Sequence, residues 1–284
     1  MALPSAISFV RYPVEVPNEP DKKYTIRQMV TKEYKDVLTI TNMKHPETFT
    51  KTFGKIIESC VVEPDNFNIN KEKSYIIEYL FMMIYLLSIK PTIDLTVKCP
   101  YKVIEDIEVT KINPETQEEE TEILKEQEID CDTEVNLTFH AKDIRISRPE
   151  KDTFELGNGV ILKLKFPTWE EYRKLEEESS SQMALIEKPE EELTEEEYQA
   201  RLKLINKVVY NSVAEIWVND ELWEEPFTEE EFVMWLDQFP LTIYSDIVEF
   251  INQRPQVYIM QEITCPHCKR EYVFNRFGLD NLLK

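Results

Sequence analysis

Apolar residues first recur at helical spacing in the N-terminal third of the chain. Phe49, Phe53, Ile56, Ile57 and Cys60 form one stripe, which predicts a helix over about 46–60 with Cys60 as a small core residue. Helices are also expected at about 31–42 and 71–89, and a strand at Tyr24–Met29. The run Tyr75–Ile89, interrupted only by Glu78 and Ser88, is apolar on nearly every side. It would cover roughly 22 Å of a hydrocarbon layer of about 30 Å, so it reads as a buried central helix and not a membrane span.

The pattern then changes to alternation. Ile93–Cys99 and Val135–Phe139 read as strands, and Ile107, Val109 and Ile123–Ile129 as a protruding hairpin turning at Asn113-Pro114-Glu115-Thr116. Thr153–Glu155 and Val160–Leu164 flank Gly157-Asn158-Gly159, whose positive φ suits a tight hairpin. Thr168 with Glu171, Thr194 with Glu197, and Thr228 with Glu231 are capping boxes announcing three helices. The helix from 195 carries Tyr198, Leu202, Ile205, Val209, Val213 and Ile216 on one stripe. Helices at about 229–238 and 242–252 follow, separated by Pro240 and ended by Pro255. Val257–Met260 and Tyr272–Phe274 close the chain as short strands.

This pattern predicts an α+β fold, mostly helical, with a β element joined from two distant segments. The expected divisions are a helical region 1–92, a β region 93–166 with an inserted arm 101–130, a helical region 167–255, and a hairpin 256–284 completing the β element.

Charge changes the picture of partners. The net charge of −22 opposes binding to a nucleic-acid backbone, which rests on Lys and Arg. Residues 101–130 hold eleven acidic and three basic side chains, and 176–197 hold ten and one. The second run reads as a solvated face.

Cysteines supply the chemistry. Cys265-Pro266-His267-Cys268 lies on a tight turn between strands, the arrangement of half a tetrahedral zinc site. Met1-Ala2-Leu3-Pro4-Ser5 opens no secretory signal, so a reducing cytosol and metal are expected instead of a disulfide. Cys99 and Cys131 would supply the other half if residues 100–130 were an insertion within a second knuckle. His267 reads as a turn residue, its alternative being a ligand in place of a cysteine, since imidazole suits zinc; His140 is the fourth ligand should Cys99 lie too far away.

Enzyme signatures are missing. Four glycines, at 54, 157, 159 and 278, allow no phosphate cradle or dinucleotide fingerprint. There is no G-x-S-x-G elbow and no H-E-x-x-H. His45-Pro46-Glu47 fits the deaminase H-x-E formally, but Thr264 stands where that motif's second half needs proline.

The opening Leu3-Pro4-Ser5, a short approach strand after it, the segment Thr25–Leu38, the knuckle at 265–268 and the closing Phe277–Leu283 together resemble the baseplate-hub proteins of T-even-type contractile-tailed bacteriophages. Cys99 and Cys131 match the positions of that family's earlier paired-cysteine knuckle, with 100–130 as an inserted arm. The resemblance implies a non-enzymatic hub subunit, or an assembly factor for hub and tape measure, carrying structural zinc on Cys99, Cys131, Cys265 and Cys268. Its partners would be other tail proteins (hub, tape-measure or tube components), with no nucleic acid, membrane or small-molecule substrate. It would reside in the host cytoplasm during assembly and, as a hub subunit but not as an assembly factor, in the tail baseplate. The rival readings are a zinc-ribbon adaptor or acidic DNA mimic, and a zinc enzyme, which needs an open coordination position.

Overall fold

A computed structural model describes residues 9–41, 46–112, 119–148, 151–179, 185 and 188–282. The chain divides into two compact units. One comprises residues 1–91 and 145–257, the other 92–144 and 258–284.

The first unit begins with strands β1 (Arg11–Val16) and β2 (Glu19–Arg27), an antiparallel hairpin whose turn places Asn18 at φ 65°. Helices α1 (Thr31–Thr41) and α2 (Pro46–Cys60) follow, and β3 (Val61–Glu63) completes a sheet of order β1-β2-β3. α3 (Ser74–Ser88) is buried around its circumference, from Tyr75 and Ile76 to Ile84 and Leu86. That is the central helix its composition predicts. No helix among the described residues is long and apolar enough to cross a membrane. On α2, Phe53, Ile56, Ile57 and Cys60 are buried, while Phe49's surroundings lie outside the described residues.

The chain passes next through the second unit. β4 (Thr92–Lys98) pairs with β7 (Glu134–His140), and β5 (Lys102–Ile112) with β6 (Glu119–Asp130). The turn expected at 113–116 lies outside the described residues. Ile104 on the β5–β6 ribbon is 71% exposed.

The chain re-enters the first unit at β8 (Arg145–Ile146). β9 (Thr153–Gly157) and β10 (Val160–Leu164) form the hairpin signalled by Gly-Asn-Gly, with φ values of 96°, 51° and 73° through the turn. α4 (Trp169–Ser179), α5 (Glu195–Asn211) and α6 (Glu229–Leu236) each begin at a predicted capping box. Between α5 and α6 run β11 (Val213–Val218) and β12 (Glu221–Leu222), giving a sheet of order β12-β11-β10-β9.

Here the structure corrects the sequence reading. Val213 and Ile216 are not on the helix from 195. α5 stops at Asn211, Ser212 bonds back to the carbonyl oxygens of Val208 and Val209, and Val213–Val218 becomes a strand against β10. The segment VAEIWV fits both periods: its Val and Ile continue the helical stripe, but β-branched and aromatic residues also suit a pleated surface. The open edge of β10 decides between them.

α7 (Leu241–Asn252) ends this run. A core of Phe154, Leu162, Val209, Phe232, Ile247 and Phe250 lies between the four-stranded sheet and α5–α7. β13 (Val257–Thr264), β14 (Glu271–Phe277) and the single turn α8 (Leu279–Leu282) finish the chain.

The expectation of a mostly helical protein is also corrected. The fold is mixed α+β, with 39% helix and 34% strand. The difference comes from the strand at Val213–Val218 and from the length of the β5–β6 ribbon, of which the alternation marked only Ile107, Val109 and Ile123–Ile129.

Candidate metal centre

Within the second unit, the β4–β7 ladder runs from Thr92↔His140 to Lys98↔Glu134, and the arm ladder starts at Lys102↔Asp130. Between them the pairing is interrupted. Pro100 has no N–H to donate, and Asp132 takes the left-handed region at φ 46°. Two bonds carry the chain across the break: Cys99 N donates to Thr133 O at 3.0 Å, and Cys131 N to Tyr101 O at 2.8 Å. Cys99 and Cys131 therefore face each other at the base of the arm, as an insertion within a knuckle requires.

The second half is built on the β13–β14 hairpin, paired from Tyr258↔Phe277 to Thr264↔Glu271. Cys265 N donates to Arg270 O and Lys269 N to Cys265 O, both at 3.0 Å, with Lys269 at φ 60°. This tight loop presents two thiols from one turn.

The two halves meet. Cys99 Sγ lies 3.6 Å from Cys268 Sγ, and Cys131 Sγ 3.7 Å from Cys265 Sγ. All four sulfurs lie within 4.8 Å of one another. A disulfide would require about 2.05 Å, and all four cysteines are free. A tetrahedron with Zn–S bonds of about 2.3 Å has edges of about 3.8 Å. The donor set and its spacing thus fit a tetrahedral thiophilic metal such as zinc. His140 stands at the far end of the β4–β7 ladder and is not among the clustered ligands. Cys60 sits in the other unit, buried on α2 with its thiol directed at Glu33.

Four crowded thiols cannot ionise alike. Cys131 is pulled down to about 5 by the Thr133 hydroxyl at 3.3 Å and His267 Nδ1 at 3.4 Å. Burial pushes Cys99 up to about 12. Burial also opposes ionisation of Cys265, but the backbone amides of Cys268 and His267 outweigh it and lower its pKa. A divalent cation would remove this conflict, because coordination deprotonates thiols outright.

Other residues support the thiols. His267 is more than a turn residue, since its ring contacts the Cys131 sulfur. The Tyr101 hydroxyl donates to Glu271 O at 2.8 Å, its ring meets Tyr272 edge-on at 6.1 Å, and the Arg270 guanidinium lies 5.4 Å from its centroid. These contacts tie the base of the arm to the hairpin independently of the thiols. Phe139 and Phe274, 6.2 Å apart, do the same further along. Only the juxtaposition of 99 with 268 and 131 with 265 makes the tyrosine role visible and sets the His267 ring against the Cys131 sulfur.

Were all four thiols to hold one metal ion, a tetrahedral site would have no position left for water or substrate.

No curated protein and no solved structure matches the chain. A family model described as T4 bacteriophage base plate protein matches residues 10–284. With nearly its whole length matched, the chain belongs to the T4 bacteriophage base plate protein family.

Proposed function

We propose that this chain is a structural or assembly protein of a phage baseplate hub, acting through protein–protein contacts and without catalysis. The observation that carries the reading is the family match over residues 10–284. In support, the opening and closing segments resemble hub proteins, and the clustered thiols leave no open coordination position. The chain's partners are then other tail proteins, among the hub, tape-measure and tube components.

Cys99, Cys131, Cys265 and Cys268 are the zinc ligands in this proposal. The metal would supply a cross-link between the β4–β7 ribbon and the terminal hairpin. Those segments belong to a β region 93–166, carrying the inserted arm 101–130, and to the hairpin 256–284. The regions 1–92 and 167–255 form the rest of the scaffold.

The test is a phage lacking this gene, with lysates inspected by electron microscopy. Tail assembly should stop before complete baseplates form, and the protein supplied in trans should restore them. Complete, hub-containing baseplates in its absence would overturn the reading. Mass spectrometry of purified particles would separate a resident subunit from a transient assembly factor.

A further inference from the structure

A cavity of about 340 Å³ opens beside the edge of the four-stranded sheet. Its apolar wall consists of Ile216 and Val218 from β11, Phe227, and Phe232 and Trp235 from α6, with Trp223 at the mouth. The wall is held in place. The Tyr210 hydroxyl donates to Phe227 O at 3.1 Å, Phe227 stacks on Phe232 with centroids 5.8 Å apart, and Phe232 meets Trp235 at 5.7 Å. A turn with Asn219 and Asp220 at φ 51° and 67° leads into β12, and Trp223 N bonds to Ile216 O at 2.8 Å. Trp223 itself is 48% exposed.

An aromatic cup of this size could take any apolar anchor, but its rim narrows the choice. Residues 221–231 contain six glutamates and no Lys or Arg. Two of them, Glu225 and Glu231, line the cavity. Glu231 is committed through Oε2 to the Thr228 amide and hydroxyl of the α6 cap. Glu225 makes no ion pair with a described residue. A π-face beside a carboxylate suits a cation, and a guanidinium suits it best. It is flat enough to stack on indole, weakly hydrated, and able to bond a carboxylate with two N–H groups.

We propose that this cup receives an arginine side chain from a segment of a partner tail protein; the partner's class rests on the baseplate reading above. The wall is preorganised, so little ordering opposes binding, and the surrounding acidity would speed encounter with a basic segment.

The experiment is a titration of the full-length protein, followed through its indole N–H resonances. The probes are the blocked peptide Ac-Ala-Leu-Arg-Leu-Ala-NH₂ and its counterpart with citrulline for arginine. The arginine peptide should shift Trp223 and Trp235 and leave Trp169 and Trp217 in place. Trp217 lies on the opposite face of β11 from Ile216 and Val218. Citrulline keeps the shape and removes the charge, so it should bind about tenfold more weakly. Trp223→Ala and Glu225→Gln, both at exposed positions, should each weaken the arginine peptide about fivefold. Three outcomes would overturn the proposal: no indole shift at millimolar peptide, equal binding of both peptides, or affinity unaltered by both substitutions. The titration uses purified protein, so its failure leaves the particle experiment untouched. Intact baseplates without the chain would equally leave the peptide's affinity unchanged.

Discussion

Glu33 shows how much one side chain can hold together. Arg27 donates to both its oxygens at 2.9 and 2.6 Å, Ser59 Oγ donates at 2.6 Å, and Val30 N at 2.8 Å. The carboxylate's side chain is 10% exposed. Burial alone would raise its pKa, but these donors, Arg27 foremost, hold it at about 2 against an ordinary 4.5. That difference corresponds to roughly 3 kcal/mol of stability. Because the folded value is depressed, the stabilisation is present above 4.5 and is lost as pH falls towards 2. Glu33→Gln should therefore lower the urea midpoint at pH 7 by an amount worth about 3 kcal/mol. The gap to the wild type should close between pH 4.5 and 2, and a gap constant across that range would refute the assignment. At the same scale, Cys265→Ser or Cys268→Ser should lose the zinc of about one per chain that four ligands imply. Cys60→Ala should retain it. Elemental analysis of protein purified without chelator decides this, and zinc-free wild type would end the metal reading.

Among the elements, those with both a start signal and a period were legible. The capping boxes at Thr168, Thr194 and Thr228 located three helix starts, because the bonds that define a cap are local to four residues. The end of α5 was not legible, because Val213–Val218 satisfies two periods and only pairing with β10 selects one. The approach strand expected between Ser5 and Thr25 is β1, which pairs with β2 although Pro13 and Pro17 weaken its pattern. The arm is an element of another kind. Its ladder continues beyond the Cys99–Cys131 break, and Ile104 is exposed there. Deleting 103–128 and joining the ends with a short Gly/Ser turn should keep zinc content and thermal stability, while reducing any salt-dependent association with a basic partner surface. Unfolding of the deleted protein, seen as loss of its far-ultraviolet dichroism at room temperature, would mean that the arm is integral to the knuckle.

For the whole molecule, the placement of tryptophan offers a direct probe. All four, Trp169, Trp217, Trp223 and Trp235, lie in the unit of residues 1–91 and 145–257. That unit has its own core of sheet and helices, whereas the other is built from three antiparallel ribbons, β4–β7, β5–β6 and β13–β14, around the thiols. Removing zinc with a chelator should thus melt the thiol-bearing unit, seen as lost strand dichroism and faster proteolysis of 92–144, with little change in tryptophan emission. Coincident loss of both signals would refute separate stabilities. The pairing of Cys265 with Cys268 on one tight loop was readable from sequence alone, because its geometry is set by one turn. So were the buried central helix at 74–88, the caps and the Gly-Asn-Gly hairpin, since each depends on neighbours a few residues away. The meeting of Cys99 with Cys268 and of Cys131 with Cys265 spans 169 and 134 residues, so only the folded chain could bring them together. The same holds for the Glu33 network, the strand at Val213–Val218 and the aromatic cup. Local bonds are written in local sequence, while long-range pairing is settled by which edges and faces remain open once the local elements have formed.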